Sequence, residues 1–197
     1  MEKIGILGNG GQADEAESFA GVEVDFRAVS PEYLDNSSPN LINVLSPTDY
    51  QRAEAVVAAI GAPQVRKKMV EEWPGERYAI VQSEVSYVDQ SAIIGEGTII
   101  APRAVITTNT EIGRHAIINV AATVSHNSKL GDYVTVGPGA HIAGNVTIGE
   151  GAFIGIGAIV NNGLYIADGV VVGAGAVVVK DISTPNSVVV GVPAKEV

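Results

Sequence analysis

At 197 residues the chain has room for one large or two small domains with a real core, and its lack of cysteine removes disulfides and thiolate metal sites from consideration. Twenty-two acidic against twelve basic residues leave a net charge of −10, which repels nucleic acid and anionic membrane surfaces and favours a small-molecule partner. The N-terminal stretch MEKIGILGNGG has no signal-peptide core, and glycine interrupts every apolar run before the roughly twenty residues of a membrane span, so a soluble, cytoplasmic protein is expected.

Lys3 to Leu7 reads as a strand, followed by the turn Gly8-Asn9-Gly10-Gly11-Gln12-Ala13 and a helix over Asp14 to Phe19. Strand, glycine turn and helix make the first half of a βαβ unit, and Gly8, Gly10 and Ala13 fit G-x-G-x-x-G/A. Gly10 and Gly11 would let backbone N–H groups approach a phosphate at the helix N-terminus, although a ligand-free tight turn has the same signature. Val22 to Val29 reads as the second strand, and it ends in Phe26-Arg27-Ala28-Val29-Ser30 without the acid that would hold a ribose hydroxyl, which argues against NAD. Leu41 to Leu45 is a short strand or helical turn, Ala53 to Ile60 a buried third strand, and Gly61 to Trp73 a helix with Pro63 in its first turn. Trp73 is expected to pack, and Tyr78 to Val81 reads as a fourth strand that leads into a repeat at about Ser83.

From Val88 to Val178 an aliphatic residue recurs at every sixth position. Six is a multiple of the strand period of two, so these residues share one side of extended backbone, whereas a helix would scatter them. Four residues after each comes a small or branched residue such as Ala104, Ala122 or Ala140, and three after comes, in most hexads, Gly or Asn, which accept positive φ at little cost. Each hexad is therefore a short strand plus a corner, three hexads make an eighteen-residue triangular coil, and the coils stack into a parallel β-solenoid about 25 Å long. The segment after Val178, with Pro185 and Gly191-Val192-Pro193-Ala194-Lys195, suits a terminus that must not offer an open sheet edge.

On such a scaffold reactive residues belong on exposed corners. Thr108, His126, Gly144, Asn162 and Lys180 form one vertical file, in which His126 alone can carry a proton near neutral pH. The bare backbone N–H of Gly144, one coil above, would sit about 4.8 Å away. A general base beside a backbone donor suits acyl transfer, while a polar corner residue above a turn glycine is the plainer reading. His115 and His141 lie eleven residues before and fifteen after His126, neither a whole coil, so they are expected on the surface and no metal site is expected.

The hexads resemble the left-handed β-helix of the hexapeptide acyltransferases. The whole chain is similar to one branch of them, the sugar acetyltransferases of the sialic-acid O-acetyltransferase and nucleotide-linked 4-amino-sugar N-acetyltransferase type. The matching segments are Gly8-Asn9-Gly10-Gly11, Ala59-Ile60-Gly61 with Arg66 downstream, Asn119, Val124-Ser125-His126, Ala143-Gly144-Asn145-Val146 and Gly191-Val192-Pro193-Ala194-Lys195. The expected architecture is a small Rossmann-like βαβ domain over 1–82 that binds a nucleotide sugar, followed by a left-handed parallel β-helix over 83–197.

The resemblance implies His126 as catalytic base, Gly144 as oxyanion donor and Asn119 as an orienting residue, with Asn127 in the place of the acid that often follows the histidine. It implies Gly8, Gly10, Gly11, Gln12, Gly61 and Gln64 around the nucleotide sugar. Thr135, in place of a second histidine, would lie with Gly144, Ile156 and Lys195 along acetyl-CoA. It further implies a homotrimer with active sites between subunits. Ala28-Val29 replaces an acidic pair common at the end of the second strand, so base recognition is expected to differ. The expected activity is acetyl-CoA-dependent N-acetylation of a nucleotide-linked 4-amino-4,6-dideoxy sugar, with UDP the favoured nucleotide, O-acetylation of sialic acid or another sugar the nearest alternative, and a non-catalytic binding solenoid the alternative outside enzymes.

Overall fold

The computed structural model describes residues 3–34, 40–46 and 53–197. The N-terminal part is a four-stranded parallel sheet. Its central strand β1 (Lys3–Leu7) pairs with β2 (Glu23–Val29) on one side and with the later strand Ala55–Ala58 on the other. β3 (Leu41–Asn43) extends the sheet beyond β2, so the last of the four, β4 (Ala55–Ala58), lies beside β1 and the order is β3-β2-β1-β4. Helix α1 (Gly11–Phe19) follows the glycine turn and α2 (Pro63–Glu72) starts on Pro63, whose fixed φ and missing N–H suit the first helical turn. Gly8 has φ +123°, and a Cβ there would come within 2.9 Å of the Ala59 carbonyl oxygen, so the close approach of β1 to β4 requires a glycine. Trp73 packs as expected, buried and stacked on Phe26 at 5.7 Å.

The predicted fourth strand over Tyr78–Val81 does not form. Tyr78 makes one isolated bridge to Val56, while β5 (Val81–Gln82) already belongs to the repeat, pairing with Ile99–Ile100. The hexad register, extended back one step from Val88, lands on Gln82, and the first coil draws this segment away from the N-terminal sheet.

From β5 onward the chain is a three-sided prism of parallel sheets with an eighteen-residue register. The first face stacks the strands at Val81, Ile99, Ile117, Thr135, Phe153, Val171 and Val188 and is closed by antiparallel Lys195–Glu196. The second face stacks Tyr87, Val105, Thr123, His141, Ile159 and Val177, and the third Ile93, Glu111, Lys129, Thr147 and Tyr165. The repeating aliphatics point inward and are sealed from about Ile100 upward. The corner position has positive φ at Gly97, Asn109, Asn127, Gly139 and Asn145 as expected, and also at Arg103, His115, Ala121 and Tyr133. Closing a triangle thus imposes the left-handed conformation even where the side chain disfavours it by roughly 1–2 kcal/mol.

The two parts share a core. Ile99 and Ile117 point outward from the first face, yet both are fully buried against Ile4, Ile6, Ala13, Ala16 and Val57. On that side α1 offers only the small Ala13 and Ala16, and the prism completes the apolar layer over the sheet. Arg66 of α2 locks the joint. Its side chain is fully buried and donates to the carbonyl oxygens of Ile60 (2.5 Å), Gly61 (3.2 Å), His115 (2.8 Å), Tyr133 (2.6 Å) and Val134 (3.4 Å) and to Thr135 Oγ1 (3.0 Å). All these acceptors are neutral, and burial pushes the guanidinium pKa down to about 9. Lys67 adds a salt bridge to Glu150 at 2.7 Å across the same joint.

His115 is not on the surface as its spacing suggested. It is 1% exposed, stacked on Tyr133 and edge-on to Tyr78, because α2 and the Tyr78 segment cover this corner of the prism. Burial first, and Arg114 second, hold its pKa down to about 4. The unfolded chain, with an ordinary histidine pKa, takes up this proton first as pH falls. The contribution is therefore fully present above about pH 6.5 and is lost on going down to about pH 4. Urea unfolding at pH 7 and pH 4.5 should show a loss for the parent that exceeds the loss for His115→Phe by about 2 kcal/mol. Equal losses in the two proteins would remove His115 as a source of the pH dependence.

Candidate active site

His126 and Gly144 share the edge between the second and third faces. Val124 ends a strand of the second face and Lys129 begins one of the third, so residues 125–128 turn the corner, and 143–146 turn it again one coil higher. The register is tied by Asn127 N–H to Thr108 O (3.0 Å), Asn145 N–H to His126 O (2.9 Å) and Gly163 N–H to Gly144 O (3.0 Å). The exposed imidazole of His126 lies flat against Gly144: a Cβ on that glycine would stand 2.5 Å from both Cε1 and Nε2. The glycine is there because the ring is.

The Gly144 N–H donates to no acceptor among the described residues. At the equivalent corner position on the edge between the third and first faces the outcome differs. There the N–H groups of Arg114 and Glu150 are capped by Asp132 Oδ1 (2.7 Å) and Asp168 Oδ1 (2.9 Å) from the next coil. The His126 edge therefore presents a free donor beside an imidazole, at a spot where a developing oxyanion could accept it. Asn127 contacts the ring through Nδ2, 3.0 Å from Nδ1. As a neutral amide it orients the imidazole but adds no charge to stabilise an imidazolium.

Asn119 lies at a different edge, between the first and second faces, and it meets Gln12 there. Asn119 Oδ1 accepts the Val120 N–H (2.8 Å), which turns its Nδ2 toward Gln12 Oε1 (3.3 Å). Gln12 Nε2 is left buried with no partner, so it is a donor available to a ligand. Gly61 faces the same glutamine, with Oε1 3.9 Å from the position of a Cβ. Gly8 and Gly10 line a cavity of about 380 Å³ with Asn9, Val29, Ser30, Tyr33, Ile60, Val65 and Met69, at the carboxyl ends of β1 and β2 and the N-terminus of α1. A Cβ on Gly10 or Gly11 would meet nothing within 4 Å, and no side chain caps α1, so its first turn is open to an anion. Gln64 is not part of this group. It lines a separate cleft of about 270 Å³ with Lys67, Tyr133 and Glu150, because α2 turns Val65 and Met69 toward the glycine turn instead.

Thr135 does not face a groove. It is buried against α2 and the Ile60–Gly61 turn, its hydroxyl donating to Gly61 O (2.9 Å) and accepting from Arg66, so it holds the joint together. Ile156 is 58% exposed on the edge between the first and second faces, in an apolar file with Pro102, Val120, Pro138 and Ala174, and Lys195 is exposed on the closing strand of the first face. His141 lies on the second face, 3.0 Å from Thr123 Oγ1, and no group of three or more metal-ligating side chains occurs among the described residues.

Sequence reasoning passed over Tyr33, Val65 and Met69 of the cavity, and also the role of Arg66. A signal for the last was present: Arg66 falls on the stripe Pro63, Arg66, Met69, Val70 that α2 buries, and a charge in such a stripe must find acceptors.

A three-sided prism built of hexads, three to a coil, is the architecture of the hexapeptide-repeat proteins. The family model described as bacterial transferase hexapeptide (six repeats) matches residues 127–158. No curated protein matches the chain. Among solved structures the chain is similar to the perosamine N-acetyltransferase of Caulobacter crescentus in complex with CoA and GDP-perosamine. That match has 30% identity and a TM-score of 0.88, covering 100% of this chain and 97% of that one. It is similar to the acetyltransferase domain of PglB from Neisseria gonorrhoeae FA1090 in complex with acetyl coenzyme A, at 30% identity and TM-score 0.86, covering 100% and 99%. WeeI from Acinetobacter baumannii AYE matches at 30% identity and TM-score 0.84 over 100% of both chains. The chain belongs to the hexapeptide-repeat sugar acetyltransferases, whose prism is the left-handed parallel β-helix.

Proposed function

We propose that the protein is an acetyl-CoA-dependent N-acetyltransferase acting on the amino group of a nucleotide-linked 4-amino-4,6-dideoxy sugar. The observation that carries this reading is the His126 imidazole lying against Gly144, whose N–H is free, on an exposed edge. In the proposed reaction the sugar amine attacks the thioester carbonyl directly, His126 takes a proton from the nitrogen, the Gly144 N–H stabilises the tetrahedral oxyanion, and as the C–S bond breaks the imidazolium returns that proton to sulfur so that CoA leaves as the thiol. An amine needs less activation than an alcohol, which agrees with a base whose neighbour is Asn127 instead of an acid.

Residues 1–82 act in this reading as the Rossmann-like nucleotide-sugar domain. The cavity beside Gly8 and Gly10 takes the nucleotide, and the open first turn of α1 takes its diphosphate. CoA runs along the apolar file that includes Ile156 and ends toward Lys195. The Gln12–Asn119 edge and the His126 edge border the same second face, whose outward residues include Tyr87, Val105, Ile159 and Val177. Packing that face against a neighbour in a homotrimer brings one subunit's His126 to another's Gln12, and so completes the site between subunits. In this reading the enzyme meets its nucleotide sugar in the cytoplasm; among the described residues no helix is long and apolar enough to cross a membrane.

The test offers amine-bearing and hydroxyl-bearing sugars linked to UDP, GDP or dTDP, with acetyl-CoA, and reads released thiol. The chain's lack of cysteine keeps the background low. Preferential turnover of an amino sugar is the expected outcome, UDP is the nucleotide that the resemblance favours, and GDP is the one held by the Caulobacter structure. Preference for a hydroxyl would move the assignment to O-acetylation, and no thiol release with any acceptor would return it to a binding solenoid.

A further inference from the structure

His126 belongs to a polar file that continues one coil further down. Asn127 Nδ2 meets His126 Nδ1 at 3.0 Å, and Asn109 Nδ2 donates to Asn127 Oδ1 at 3.4 Å. The Asn109 backbone is itself held, its N–H donating to Ser91 Oγ at 2.8 Å. In this direction of the file Nδ1 accepts a hydrogen bond, so the ring proton sits on Nε2. With Nδ1 engaged by Asn127, Nε2, which with Cε1 is nearest the position of a Cβ on Gly144, is the nitrogen left to accept the substrate proton, and in this direction of the file it is already protonated.

Catalysis as a base through Nε2 needs the other tautomer, with the proton on Nδ1 and an acceptor for it. Asn127 is the side chain in contact with Nδ1. To accept, it must present Oδ1, and its Nδ2 then faces Asn109, which must also turn its oxygen toward it. The two amides can reverse only together, since N–H against N–H or O against O at either link costs a hydrogen bond. Backbone conformation accounts for Asn at both corners, with φ of 54° and 58°, but glycine serves the same conformation in other coils, and the amide-to-amide contact is an addition to it.

Resting on the reading of His126 as base, we propose that Asn109 is a positioning residue: by setting the direction of the Asn127 amide it selects the His126 tautomer and hence the fraction of enzyme competent to take a proton. The decisive variant is Asn109→Asp. A carboxylate only accepts, so Asn127 must give it Nδ2–H and turn Oδ1 to His126, which locks the ring proton on Nδ1. Asp tolerates the left-handed corner much as Asn does. Asn109→Gly, at home in the same conformation, removes the control.

Full-length protein labelled with 15N-histidine, its His126 signals assigned by their loss in His126→Ala, reports the tautomer directly. Asn109→Asp should show the Nδ1–H form, and kcat should rise roughly threefold with both KM values unchanged, while Asn109→Gly should shift the tautomer ratio without that gain. An unchanged ring signature in Asn109→Asp would overturn the proposal, and a moved ring proton with unmoved kcat would overturn its link to catalysis. The ring signature does not depend on turnover, so it judges Asn109 even if an active His126→Ala were to remove the base assignment.

Discussion

His126→Ala should lower kcat by about 10²–10⁴ while leaving the KM for the nucleotide sugar little changed, the range expected when a positioned general base is removed. The basis is local: the imidazole is exposed, oriented by Asn127, and lies against a glycine whose N–H is free. Gly144→Ala reaches the same site from the other side, because its Cβ would stand 2.5 Å from Cε1 and Nε2 and must push the ring away. Its kcat should also fall by about 10²-fold, by displacement of the base, not by loss of the amide. In the double variant the methyl has nothing left to strike, so it should be no slower than His126→Ala alone, a non-additivity that marks direct contact. Full additivity, or a folded His126→Ala with the parental rate, would remove this edge as the place of the chemistry.

The largest stability effect is expected at Arg66. Among the hydrogen bonds of the described residues, the carbonyls of Ile60, His115 and Tyr133 have the guanidinium as their partner. Arg66→Leu strips all three of a donor inside the joint between α2 and the prism and should cost about 3–5 kcal/mol. That is a large part of the 5–15 kcal/mol that holds a typical domain together. Arg66→Lys should recover only part of it, since an ammonium cannot span acceptors that approach a planar fork from two prism coils and from the Ile60–Gly61 turn. Denaturant unfolding measures both variants, and an Arg66→Leu protein as stable as its parent would show that the joint rests on its apolar contacts alone.

Residues that repeat were legible. The inward aliphatics, the small residues above them and the Gly or Asn corners follow from a six-residue period, and the vertical file that joins His126 to Gly144 follows from eighteen residues per coil. Whatever depends on the N-terminal part lying against the first face was not legible. The spacing of His115 suggested an exposed corner, but Tyr78 and Tyr133 enclose it. Thr135 stood where the resemblance implied a cofactor contact, and Arg66 and Gly61 claim its hydroxyl. Gln64 shares a helix with the cavity residues Val65 and Met69 but lines another cleft.

What the amino-acid sequence determined by itself is the prism and the pairing of imidazole with bare amide on one of its edges. Both come from short-range periodicity, which relates each residue to its neighbours one coil away. The tertiary structure alone decided which corners are buried, that Arg66 and Thr135 fasten the two parts, and that Gln12 and Asn119 stand across the second face from His126. Those outcomes depend on the docking of one irregular segment on a regular one, where contacts join residues as far apart as Gln12 and Asn119, and no repeat length records such a distance.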